Sequence, residues 1–324
     1  MGYQATMMPI ILAFFLSILV CPVIIPVLRR FKFRQYVRED GPRTHLKKAG
    51  TPTMGGIIIL LVVSVTVFLL EGEDREALPV LFATVGFGMV GFLDDYIKII
   101  MKQSEGLTPW QKLALQAVVG LVFVCYYLTK AGGHPEMLIP FTGGLVHGRY
   151  ITMPKPLFAL FCLVVMLGTA NGTNFTDGLD GLVSGVTLLV AVFFTIVAAG
   201  VQSGILPITT AVVGTLAGFL AFNVYPASVF MGDTGSLALG GFVSASALVL
   251  KLPLFIVIVG VVYMIEVLSV MLQVGFFRMT GGKRIFKMAP IHHHFEQCGW
   301  SETRIVTVFS LVTSLCCLLG LAGL

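Results

Sequence analysis

Charge is what this 324-residue sequence has least of. Asp, Glu, Lys and Arg make up 11% of it, where a water-soluble domain carries roughly 25%. With 56% hydrophobic residues and a mean hydropathy of +0.95, a soluble globule is excluded. No basic residue precedes the first apolar run, and "LRRFKFR" follows it, the reverse of a secretory signal peptide. The six cysteines contain no CxxC pair and fall mostly inside apolar runs, so they read as small buried hydrophobes rather than disulfides or metal ligands. Walker A and HExxH sequences are both missing, as are any fixed-period repeat and any low-complexity tract, and a solenoid is thereby excluded.

Long hydrophobic runs are what the sequence does have. A spanning helix needs roughly 20 apolar residues, and candidate stretches lie near 7–28, 55–70, 78–97, 112–129, 156–170, 181–200, 205–223, 235–250, 254–277 and 305–323. The expectation is an all-α polytopic membrane protein, one domain over 1–324, with ten transmembrane helices and both termini outside. Alternating spans put the segments 29–53, 94–112, 171–180, 224–234 and 278–304 on one side of the bilayer. Of the 21 Lys and Arg residues, five (Arg75, Lys130, Arg149, Lys155, Lys251) fall elsewhere and 16 fall in those segments, which makes that side cytoplasmic by the positive-inside rule. The longest outer segment, 130–155, alternates turn residues with short β-prone runs, and a small external hairpin is plausible there. A net charge of +5 suits anionic lipids or phosphates.

The same inner segments hold nearly all the acids, amides and histidines. "GFGMVGFLDDYIK" places Asp94 and Asp95 at a cytoplasmic helix mouth, with Lys98 one turn on. Gly86, Gly88 and Gly91 match GxGxxG only formally, because they sit inside an apolar helix, where glycines permit close helix packing. Two adjacent carboxylates could be a solvated helix end, but like charges this close raise a pKa or recruit a cation. In "NGTNFTDGLDG", Asn171, Asn174, Asp177 and Asp180 recur every three residues, one polar stripe if the segment is helical. Asp233 in "VFMGDTGS" opens a span. It either caps that helix or joins its free N–H groups in a phosphate and hard-cation site. "GPRTHLKKAGTPTMGG" offers Lys48 and Thr53 beside a glycine-punctuated turn. Glu266 and Gln273, seven residues apart, share a helix face; Glu266 is either functional or a helix-to-helix hydrogen bond.

Acids able to hold Mg²⁺ beside lysines able to hold phosphates describe phosphoryl transfer. The motifs "GTPTMGG", "GFLDDYIK", "NGTNFTDGLDGL", "VFMGDTGSLALGG" and "KRIFKMAPIHHHFEQCGW" together resemble the phospho-N-acetylmuramoyl-pentapeptide-transferase family across essentially the whole chain. That resemblance implies ten helices in the bacterial cytoplasmic membrane, a homodimer, Mg²⁺ dependence and a cytoplasmic active site. It also implies transfer of phospho-MurNAc-pentapeptide from UDP to undecaprenyl phosphate, giving lipid I and UMP, with no nucleic-acid partner. It makes Asp233 the Mg²⁺ ligand, sets Asp94 and Asp95 beside the lipid phosphate, and matches Asn174, Asp177, Asp180, Phe230, Gly232 and Gln273 to the uridine pocket. Asn171 belongs to the same polar stripe. Lys48, Thr53 and Lys112 match polar residues around the site. His292, His293 and His294 are assigned to substrate, with His292 the candidate catalytic histidine. Three consecutive side chains cannot converge on one ion without contorting the backbone, so zinc is disfavoured. A HexNAc-1-phosphate transferase of the same superfamily, and more remotely a transporter, remain as alternatives.

Overall fold

In lipid a backbone must satisfy its own hydrogen bonds, so apolar runs of this length become helices. The computed structural model describes residues 3–30, 50–70, 77–101, 105–129 and 133–324. Its long helices are α1 (Tyr3–Arg30), α2 (Gly56–Leu70), α3 (Leu78–Met101), α4 (Pro109–Thr129), α5 (Lys155–Thr176), α6 (Leu182–Gly200), α7 (Leu206–Asn223), α8 (Gly232–Val249), α9 (Val261–Met279) and, after the short α10 (Ile291–Gln297), α11 (Glu302–Ala322). Eight of these, all but α2 and α8, are long and apolar enough to cross a membrane. The chain is thus a polytopic, largely helical protein. The short α2 has 15 residues, and α8 is diluted by the Gly and Ser of "GDTGSLALGGFVSASALV".

The composition of α8 follows from its place. Every residue from Thr234 to Leu248 is buried, because α3, α5 and α2 surround it. A helix that meets other helices rather than lipid gains from small residues that let backbones approach. A methyl group added at Gly91 would lie 2.0 Å from the Asp233 carbonyl oxygen, and one at Gly56 would lie 2.1 Å from the Gly235 nitrogen. One at Gly240 would lie 2.4 Å from Ala170 Cα. The close-packing role expected of the Gly86, Gly88 and Gly91 set is therefore seen directly: Gly86 faces Val119, Gly88 faces Leu60 and Ala238, and Gly91 faces α8.

Around this centre, α1 packs on α7 and α2, α4 on α3 and α5, α9 on α5, and α11 on α6. At the far end from the aspartates, β1 (Glu136–Leu138) and β2 (Tyr150–Thr152) form an antiparallel ladder, with Met137 opposite Ile151. The Leu138 N–H donates to the Lys251 carbonyl, the Phe141 N–H donates to the Gly323 carbonyl, and Lys251 pairs with Glu136. These bonds hold the hairpin against the turn after α8 and the end of α11.

Candidate active site

Three helices deliver the site. Asp94 and Asp95 sit in the last two turns of α3, Asp233 in the first turn of α8, and Lys112 near the start of α4. One oxygen from each aspartate lies within 4.8 Å of the others. Unscreened carboxylates this close would repel, and cations answer them. Lys98 Nζ is 2.6 Å from Asp94 Oδ2 and 2.9 Å from Asp233 Oδ2. Lys112 Nζ is 2.8 Å from Asp233 Oδ2 and donates at 3.2 Å to Asn174 Oδ1. The Asn174 amide donates to Asp233 Oδ1 at 2.8 Å and to Ser236 Oγ at 2.9 Å. Asp233 therefore stands at the centre of two ammoniums and an amide, and the cluster holds three carboxylates to two ammoniums, which pair with Asp94 and Asp233.

The adjacent aspartates divide the work. Asp95 accepts from the backbone N–H of Asp233 and of Thr234, and from the Thr234 hydroxyl at 2.7 Å. It caps the amino end of α8 from a neighbouring helix, meeting N–H groups that no intrahelical partner satisfies. Asp94 faces Lys98 and accepts the Leu107 N–H at 2.9 Å, which holds Gly106 and Leu107 against it. Asp95 anchors a helix, while Asp94 belongs to the charged cluster with Asp233.

The loop "GTPTMGG" reaches the same place through the backbone. Phe230 N–H donates to the Pro52 carbonyl, Gly55 N–H to the Phe230 carbonyl and Gly56 N–H to the Met231 carbonyl. Thr53 is buried there. Gly232, at φ +72°, adopts a conformation that side chains disfavour. A methyl group at Gly232 would meet Asp95 Oδ2 at 2.7 Å and Thr53 Oγ1 at 2.9 Å. Lys48 lies outside the described residues.

The expected polar stripe is only partly helical. Asn171 and Asn174 lie on α5, Asp177 caps its carboxyl end, and Asp180 follows in the turn before α6. Asn171 donates to Gln116 Oε1 and to the Leu167 carbonyl, tying α5 to α4 one turn away from the aspartates. Burial pushes the Asp177 carboxyl well above the usual carboxylate range, and the charges of Asp233, Asp95 and Asp180 add to this. Asp180 Oδ2 accepts the Ala227 N–H, and its own N–H donates to Glu302 Oε1.

The histidine segment folds back along α9. Gln273 accepts the N–H groups of Ile285 and Phe286 and donates to the Phe286 carbonyl, which holds this segment's near end. Two turns deeper, Glu266 Oε1 lies 3.1 Å from His292 Nδ1, both side chains being buried. The shared face of Glu266 and Gln273 is thus the face on which residues 285–292 lie. The three rings take three different partners. His292 meets Glu266, His293 Nδ1 lies 2.6 Å from Glu296 Oε2, and His294 Nδ1 accepts the Lys287 N–H while its ring meets Phe286 edge-on.

Residues 77–251 match the family model described as glycosyl transferase family 4, and residues 48–60 match phospho-N-acetylmuramoyl-pentapeptide-transferase signature 1. Curated relatives named phospho-N-acetylmuramoyl-pentapeptide-transferase include one from Acetivibrio thermocellus, 49% identical over 97% of this chain and 94% of its own length. Others are from Clostridium perfringens, 48% identical over 98% of both chains, and Clostridium kluyveri, 46% identical over 97% of this chain and 98% of its own.

Proposed function

The chain belongs to the phospho-N-acetylmuramoyl-pentapeptide-transferase family, and from that membership we propose that it transfers phospho-MurNAc-pentapeptide from UDP to undecaprenyl phosphate, giving lipid I and UMP in peptidoglycan synthesis. The observation that carries the mechanism is the aspartate and lysine cluster at the end of apolar helices, where a lipid phosphate and a soluble sugar nucleotide can meet. A lipid phosphate oxygen attacks the phosphorus attached to the sugar. The bond from that phosphorus to the bridging oxygen breaks, and UMP leaves.

Lys98 and Lys112 are placed to take phosphate oxygens, and catalysis here is positioning plus charge neutralisation. The donor set of Asp233 and Asp94 is all oxygen and suits a hard cation. These two residues would hold Mg²⁺, which when bound neutralises charge on the diphosphate. Asp94 lies beside the lipid phosphate and Asp95 fixes the helix that carries Asp233. Asn174, Asp177, Asp180, Phe230 and Gly232 form the nucleotide side, together with Gln273 and the histidine segment, and His292 on this reading serves nucleotide binding rather than the chemical step. Thr53 and Lys48 border the phosphates.

We further propose ten spans with both termini outside, the site facing the cytoplasm, a homodimer, and residence in the bacterial inner membrane. Signature 1 favours this family over a HexNAc-1-phosphate transferase. Radiolabelled lipid product from each UDP-sugar tests the choice: product is expected from UDP-MurNAc-pentapeptide, and product from UDP-GlcNAc alone would overturn it.

A further inference from the structure

Glu266 and His292 come from different elements and are 0% and 1% exposed at their side chains. An acid so deep in a helix bundle is costly unless something answers it. Its neighbour is His292 Nδ1 at 3.1 Å, a close approach that does not meet hydrogen-bond geometry. The other ring nitrogen, Nε2, likewise makes no hydrogen bond among the described residues. It faces Gly178, where an added methyl group would lie 2.1 Å from Nε2 and 2.6 Å from Cε1. Gly178 sits between Asp177 and Asp180, in the turn from α5 to α6. His292 is therefore clasped between a carboxylate on α9 and the glycine of the acidic turn.

A carboxylate beside one imidazole nitrogen keeps the proton on that nitrogen and fixes the ring's orientation. We propose that Glu266 is a positioning residue: it holds the proton of His292 on Nδ1 and sets Nε2 over Gly178, so that the histidine segment and the Asp177 to Asp180 turn keep one register. This rests on assigning those two segments to the sugar nucleotide. Neither Glu266 nor Gly178 touches the reacting phosphates in this scheme. Their loss weakens nucleotide binding rather than the chemical step, which raises KM for the sugar nucleotide and leaves kcat little changed.

The full chain, ¹⁵N-labelled at histidine and held in nanodiscs, tests this by NMR. His292→Ala identifies the His292 signals. The expected result is the Nδ1-protonated pattern for His292, lost in Glu266→Leu and largely kept in Glu266→Gln, whose amide oxygen can still accept. In the UMP-release assay, Glu266→Leu should raise KM for UDP-MurNAc-pentapeptide about tenfold or more, with KM for undecaprenyl phosphate unmoved. Gly178→Ala should do the same with the carboxylate intact, and the double variant should be less than additive. An Nε2-protonated His292 in the unsubstituted protein overturns the proposal, whether or not any variant folds. So does a Glu266→Leu protein whose kcat falls at unchanged KM, the behaviour of a smaller folded fraction. A protein that releases no UMP at all would sink the functional assignment instead, and the NMR pattern would still decide the role of Glu266.

Discussion

The two ends of the helix bundle each carry charged side chains, and they carry them differently. At the hairpin end, Lys251 and Glu136 form a one-to-one pair, side chains 35% and 28% exposed, with Lys251 also over the Tyr150 ring. At the other end, Asp94 and Asp233 share two lysines, Asp95 has hydrogen bonds in place of a cation, and both members of the aspartate pair on α3 are nearly fully buried. A satisfied surface pair costs little and gives little. A buried cluster with one carboxylate in excess is unstable alone and is relieved by a cation. The hairpin end is therefore built to fasten, and the aspartate end is the one proposed to bind and react.

Substitutions can break that contrast, beginning with the largest effect. Asp233→Ala removes the acceptor shared by Lys98, Lys112 and Asn174, and should lower UMP release by about 10³-fold or more with the fold retained on size exclusion. Lys112→Met leaves the aspartates in place and should cost about 10²-fold in the same assay. Asp95→Asn should act first on stability, because its carboxylate accepts two backbone N–H groups and a hydroxyl at the start of α8. A loss of about 1–3 kcal/mol is expected in thermal unfolding of the detergent-solubilised protein. Glu136→Gln, at the other end, should change stability by less than about 1 kcal/mol and leave UMP release unaltered. Equal effects at both ends would erase the distinction.

Much of this contrast was legible in the sequence, and the exceptions have physical causes. Eight of the ten expected spans, the acidic pair and Asp233 follow from hydropathy and from the expense of charge near lipid, whereas the short α2 and the Gly- and Ser-rich α8 fall below that standard. The packing role of Gly88 and Gly91 follows from their place inside an apolar helix. The separate roles of Asp94 and Asp95 do not follow, because they depend on which face meets α8, and adjacent residues look alike in a motif. Lys98 was legible one turn on from the acidic pair, and its i,i+4 spacing to Asp94 is the spacing of the pair they form. Asn171 and Asn174 share a stripe, yet one bonds α4 and the other Asp233, since one helical turn separates a helix seam from the site. Nothing local links Glu266 to His292. Their meeting depends on the whole 280–291 segment folding back along α9.

On the proposed reading, Asp233 and Asp94 with their lysines form a Mg²⁺-dependent phosphoryl-transfer centre. The most direct measurement is UMP release by the purified protein, supplied with UDP-MurNAc-pentapeptide and undecaprenyl phosphate, before chelation, after chelation and after Mg²⁺ is restored. Release should stop on chelation, return with Mg²⁺, and never appear in Asp233→Ala. Release that persists through chelation, or that survives in Asp233→Ala, would contradict that reading.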